Sequence, residues 1–243
     1  MPAVLYAIPA SHPCAVVERA LQLKDVPYRR VELIPVVHKL PQKLRFGGTS
    51  VPGVRFEDGA RVLGSRAILR DLDRRSPEPP LLPADTELRA HAKRAEEWGD
   101  QVLQSLVRRI LWAAVRRAPG SMESYTEGAR LPVPRPAARL SAPLVARMAQ
   151  AANQAQDPAV RADLLALPAH LDRVDRWIAE GTLGAEVLHA GDLQVAASLR
   201  LLATVGDVRP AVDDRPAGTL ARRVFPRYPG AVPAGALPAD WLR

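Results

Sequence analysis

The chain has 243 residues, a formal net charge of +8 and a single cysteine, Cys14. Its length fits one large domain or two modest ones, and 47% apolar with 25% charged residues is an ordinary globular balance. One cysteine excludes an internal disulfide and a cysteine-rich metal site. No apolar run reaches the roughly 18 residues that span a bilayer. The basic residues come in scattered pairs, Arg29-Arg30, Arg108-Arg109 and Arg116-Arg117, interleaved with acids and not studded with aromatics. That pattern argues against a nucleic-acid partner and for a mild attraction to small anions. Met1-Pro2-Ala3-Val4-Leu5-Tyr6 lacks the basic and long apolar regions of a secretory signal, so a cytoplasmic protein is expected.

Ala3 to Ile8 is a short apolar run ended by Pro9, the pattern of a buried strand. Pro13 suits the first turn of a helix, where its missing N–H costs nothing, and Val16, Val17, Ala20, Leu21 and Leu23 give that helix an apolar face. Val26 to Leu33 alternates like a second strand. Further on, Val54 and Phe56 alternate with Arg55 and Glu57, and Asp58-Gly59 predicts a two-residue hairpin turn before Val62 and Leu63. Pro52 cannot donate to a sheet ladder, which places it at a strand start or edge. Ser65 stands where a helix N-cap belongs, ahead of Ala67, Ile68, Leu69 and Leu72. Strand, helix, strand, hairpin, helix is the order of a thioredoxin-like fold, with a parallel pair joined by a helical crossover. Arg74-Arg75-Ser76-Pro77-Glu78-Pro79-Pro80 ends the last helix and begins an extended linker.

Beyond the linker every signal is helical. Thr86 to Arg117 is one long amphipathic pattern through Leu88, Trp98, Val102, Leu106, Ile110, Leu111 and Ala114. Residues 118–143 are rich in Pro, Gly and Ser, include Leu131-Pro132-Val133-Pro134-Arg135-Pro136, and read as a mobile flap or an ordered loop. Helical patterns resume from Leu144 to Gln156, and again from Asp157-Pro158 through Leu164, Leu167, Leu171, Val174 and Trp177 to Gly181. His189-Ala190-Gly191-Asp192 opens another helix, with Asp192 placed to accept from free N–H groups of its first turn. The tail from Asp214 is rich in proline and predicts a surface wrap anchored by Phe225, Tyr228 and Trp241.

The Val51-Pro52, hairpin and Ser65-Arg66-Ala67-Ile68 sequence resembles the glutathione-binding half of the glutathione S-transferase family. Ser11-His12-Pro13-Cys14-Ala15-Val16-Val17-Glu18-Arg19-Ala20-Leu21 is similar to that family's first helix start, Leu81-Leu82-Pro83 to its domain junction, and the segment from His189 to its buried C-terminal helix. The resemblance implies an α/β + all-α architecture. A thioredoxin-like domain would cover residues 1–83 and a helical bundle residues 84–243, the latter with the 118–143 insertion and the tail.

The resemblance also implies roles. Ser11 would donate a hydrogen bond to the thiolate of glutathione, the co-substrate, without acting as a nucleophile. Val51 would pair its backbone with the cysteinyl part of glutathione beside a cis Pro52. His38 and Lys39 would reach the glycine-end carboxylate, and Ser65 the γ-glutamyl carboxylate. Plainer roles stand beside these: a helix cap for Ser11, a solvated turn for His38-Lys39, a trans proline at a strand edge. The acidic residue that precedes the family's serine is Gly64 here, and the capping Ser or Thr of the buried helix is His189. His12 replaces a proline, either titrating near neutrality or solvated in its loop. Cys14 reads as a small core residue, or as the remnant of a Cys-Pro-x-Cys motif whose first cysteine is Ser11.

The implied protein is a homodimeric transferase that uses a small-molecule thiol and a hydrophobic electrophile, with no metal, nucleic acid or membrane. Glu97, Trp98, Gln101, Ser105 and Trp112 fall where that electrophile would bind. Two other readings stay open on the same scaffold: a non-catalytic binding or assembly module, and a thiol-dependent isomerase or reductase.

Overall fold

Ala3–Ala7 form the first strand, β1, and His12–Leu23 the first helix, α1. Strand β2 (Tyr28–Glu32) lies parallel to β1, from Ala3 opposite Tyr28 to Ala7 opposite Glu32. Strand β3 (Gly53–Arg55) runs antiparallel on the other side of β1, with Tyr6 opposite Gly53, and pairs in turn with β4 (Arg61–Leu63). The sheet order is β2-β1-β3-β4. Helix α3 (Ser65–Arg75) follows, burying Ile68, Leu69 and Leu72. This computed structural model describes residues 2–35, 37–129, 131 and 133–242.

Three local expectations change. The hairpin closes with Phe56 N–H on Ala60 O at 2.8 Å, so its loop is Glu57-Asp58-Gly59, three residues rather than two. Gly59 alone in that loop takes positive φ, 86°, the conformation that lets a three-residue loop return its strand. The N-cap of α3 is Gly64, which moves Ser65 to the first helical position. And the His38-Lys39-Leu40-Pro41 segment is no mere turn: Lys39–Phe46 form helix α2, ended by Gly47 at φ 75°.

Thr86–Trp98 (α4) and Gln104–Arg117 (α5) are joined through a wide π turn at Gly99–Leu103, so the long pattern is a continuous helical run. Leu88 and Val102, expected on its buried face, are 50% and 39% exposed. The 118–143 segment is ordered differently from a flap: Pro119–Thr126 make a tight 3-10 turn and Arg135–Ala152 are helix α6. That helix starts well before Leu144, with Pro136 in its first turn, where a proline costs no hydrogen bond. Pro132 lies outside the described residues. Helix α7 is Asp157–Ala179, buried at Leu164, Leu167, Leu171 and Val174.

Helix α8 (Ala190–Leu202) is the hub, in contact with α1, α4, α5, the short α9 (Arg209–Asp213) and α10 (Pro216–Val224), and buried nearly throughout. Its cap works with an imidazole in place of a hydroxyl. His189 Nδ1 accepts from Gly191 N–H at 3.1 Å, while Asp192 accepts from His189 N–H at 2.9 Å. With Nδ1 an acceptor, the ring proton sits on Nε2, which donates to Thr182 O at 2.9 Å. Past α10 the tail lies along the surface with Phe225 and Trp241 buried, and Tyr228 OH donates to Ala10 O at 3.0 Å.

Candidate functional site

The sheet's topology collects the singled-out residues at one end. Strands β1 and β2 are parallel, so both finish there: β1 into the Ile8–Ser11 loop, β2 into the chain towards His38. The two exits are tied by Leu33 N–H on Ala7 O at 2.8 Å. Strand β3 is antiparallel, so it begins at this end, and Val51-Pro52 sits beside the exit of β1. The Val51–Pro52 bond is cis; a second cis bond, Glu78–Pro79, lies in the linker. Gly64 N–H donates to Pro52 O at 2.9 Å, which brings the start of α3, and Ser65, to the same edge. Gln42, buried on α2 and not singled out in the sequence, donates to Ser50 O at 2.9 Å and holds the His38-Lys39 start of α2 there. A proline in the first turn and a glycine past the end were the signals for that helix.

Ser11 is the N-cap of α1, with φ −74° and ψ 116°, yet its side chain makes no capping bond. No acidic residue stands in the first turn of this helix either. Its leading N–H groups and positive dipole end therefore lack a side-chain neutraliser. The Ser11 hydroxyl stands by the Cys14 thiol and favours its ionised form. Burial pushes that thiol up to about 11, against the smaller opposing pull of Ser11 and the Ile8 backbone, so it stays protonated and inert.

His12 is neither in solvent nor titrating near neutrality. It is 2% exposed, both ring nitrogens lack hydrogen-bond partners, and burial, helped by Arg108, holds it well below its ordinary value. It is neutral at physiological pH. His38 is half-buried with an unpartnered Nδ1, and burial and the Lys39 charge lower it too. Of that pair, the cation is the exposed Lys39. Ser65 is buried, and its side chain makes no hydrogen bond among the described residues.

A cavity of about 510 Å³ opens at Ser11. Its walls are the outer face of α1, Arg30 of β2 and the tail from Val224 to Pro229. Glu97, Trp98, Gln101, Ser105 and Trp112 do not line it. Trp98 packs edge-on against Trp177 at 5.2 Å, inside the bundle. The tail's part in this cavity was not legible in sequence, because Ala10 and Tyr228 meet across 218 positions. Among the described residues no group of His, Cys, Asp and Glu could hold a metal ion, and no helix is long and apolar enough to cross a membrane.

Residues 5–80 match the family described as "Glutathione S-transferase, N-terminal domain". Solved structures resemble the whole chain. A glutathione S-transferase from Rhodospirillum rubrum is 19% identical, with a TM-score of 0.63 over 99% of this chain and 98% of that one. FzlA from C. crescentus is 20% identical, with a TM-score of 0.61 over 100% and 98%. A Methylobacterium radiotolerans glutathione S-transferase, solved in complex with glutathione sulfonate, is 18% identical, with a TM-score of 0.56 over 93% and 92%. A search of curated protein sequences finds no match. At these identities the likeness to solved structures is one of fold. The family match covers residues 5–80 alone, and the chain as a whole shares the mixed-sheet and helical fold of solved glutathione S-transferases.

Proposed function

We propose that this protein is a glutathione S-transferase-like enzyme that binds glutathione at the open end of the sheet and presents its thiolate to an electrophilic carbon. The observation that carries the reading is the start of α1. Its dipole is not neutralised by any acid, its cap hydroxyl caps nothing, and the thiol behind that hydroxyl is protonated. With Cys14 protonated, no thiolate of the chain's own competes for the Ser11 O–H, which is left to donate to a sulfur anion. A free thiol with pKa near 8.5 is ionised more readily in such a place. The sulfur then attacks carbon: a C–S bond forms, the leaving group departs with its electron pair, and the thiol proton goes to solvent. Stabilising and positioning the anion supply the acceleration.

The rest of the tripeptide meets matching groups within the first 83 residues. Lys39 suits the glycine-end carboxylate, the Val51 backbone the cysteinyl amide, and Ser65 with the α3 N-terminus the γ-glutamyl carboxylate. His38 is neutral and serves as a hydrogen-bond partner rather than a charge. Leu88 and Val102, exposed on the long helix, leave apolar surface that a second copy would cover in a homodimer.

Gly64 favours a second reading, a binding module without turnover, because no carboxylate is available there for the γ-glutamyl ammonium group. A reductase is disfavoured by the burial of Cys14. Calorimetric titration with glutathione tests the proposal: wild type binds in the millimolar range or tighter, and Ser65→Ala binds more weakly. No heat from wild type at millimolar glutathione removes it. Binding with no turnover of any electrophile selects the module.

A further inference from the structure

A second cavity, of about 450 Å³, opens in the helical region and shares no residue with the one at Ser11. It lies between the end of α7, the chain at Gly184 and the junction of α9 with α10, and has the size of a small-molecule site. Ile178, Pro216 and Leu220 give it apolar walls. Gly184 borders it where a Cβ would stand 3.7 Å from Ile178 and 3.9 Å from the Arg223 guanidinium, so the glycine keeps that side open.

Four charged side chains line the cavity, and two are already committed. Arg215 is paired with Asp172 and, at 2.6 Å, with Asp175, while Asp213 accepts from Arg222 at 2.8 Å. The other two are not. Asp214 makes no side-chain hydrogen bond or ion pair among the described residues. Arg223 has no acid, only the Ala185 carbonyl, to which its Nη2 donates at 3.0 Å. Two opposite charges thus share one cavity without bonding each other. A lone anion would face Asp214 and a lone cation Arg223, each repelled by the group it does not use. A ligand of both signs satisfies both. The backbone that presents them is fixed: Arg215 is the N-cap of α10, and its partner Asp175 also accepts from Ala217 N–H at 2.8 Å, which clamps the residue beside Asp214 to α7.

We propose that this cavity binds a small zwitterion, a free α-amino acid with an apolar side chain. Its carboxylate pairs with Arg223, its ammonium with Asp214, and its side chain lies against Ile178 and Leu220. Neither charged group belongs to the glutathione site, so the transferase reading can fail without this one.

The test is a ligand-observed NMR titration of the full chain with L-leucine, N-acetylleucine and leucinamide. The two derivatives keep the side chain and remove the ammonium or the carboxylate in turn. Leucine should bind about tenfold more tightly than either, the worth of one charge-assisted contact. Arg223→Gln should weaken leucine about tenfold and not weaken leucinamide. Asp214→Asn should weaken leucine by as much and not weaken N-acetylleucine. Arg223→Lys should recover part of the loss. Both side chains are exposed, so the variants should keep the Tm of wild type. Equal binding of the three ligands by wild type overturns the proposal, as does leucine affinity unchanged in Arg223→Gln or Asp214→Asn. No leucine binding at millimolar concentration overturns it as well.

Discussion

Two helices of this molecule begin in opposite ways. At the start of α8 each buried polar group has its partner: Asp192 accepts from Gly184 N–H at 2.7 Å and from His189 N–H at 2.9 Å, and His189 uses both ring nitrogens. At the start of α1 the cap side chain bonds no backbone N–H, the first turn has no acid, and the buried ring of His12 has no partner. The two starts differ in what neutralises the dipole. Helix α8 carries its own carboxylate and is closed as a folding element. Helix α1 carries none, and its unmet N–H groups suit an anion from outside.

Removing the internal anion should have the largest effect. Asp192→Ala strips two buried N–H groups of a charged acceptor, and denaturant unfolding should show a loss of about 3–5 kcal/mol. The same change should leave glutathione affinity in the surviving folded protein within about twofold. Ser11→Ala should behave in reverse. Its stability should move by less than about 0.5 kcal/mol, since the side chain caps nothing. Transfer activity, as kcat/KM, should fall about a hundredfold for the lost donor. A large stability loss with unchanged activity would make Ser11 a cap and erase the contrast.

Gly64→Glu sharpens the comparison by adding a carboxylate at the site. Gly64 sits at φ 90° and ψ 139°, a backbone region essentially kept for glycine, so even with open space around a Cβ the strain costs about 1–3 kcal/mol in unfolding experiments. Calorimetry should show tighter glutathione binding in return, through a partner for the γ-glutamyl ammonium group. The smallest expected effect is alkaline. The Cys14 thiol is raised from 9.0 to about 11 in the folded state, so the unfolded chain gives up this proton first. Stability should therefore fall as pH rises through that window, and Cys14→Ala should remove this part of the fall.

The sheet and its site edge were legible in sequence because their signals are local. Alternation over Val54 and Phe56, a turn glycine and the Ile68-Leu69-Leu72 spacing each act within a few residues. Helix α2 escaped because it buries only Gln42, so no apolar stripe announced it. Leu88 and Val102 satisfied a helical period that cannot say which side of a long helix meets its neighbours. At α8 the pattern of a hydroxyl cap hid what an imidazole can do in one tautomer. The cavity under the tail was the least legible part, since Ala10 and Tyr228 lie 218 positions apart and nothing local marks their contact.

If the start of α1 stabilises a sulfur anion, the thiol of bound glutathione should ionise early. The direct measurement is the ultraviolet absorbance of the glutathione thiolate against pH in the complex, for wild type and Ser11→Ala. The bound thiol should titrate at least one unit below its free value of about 8.5, with Ser11→Ala returning most of that shift. A bound thiol that titrates at its free value in wild type would contradict it.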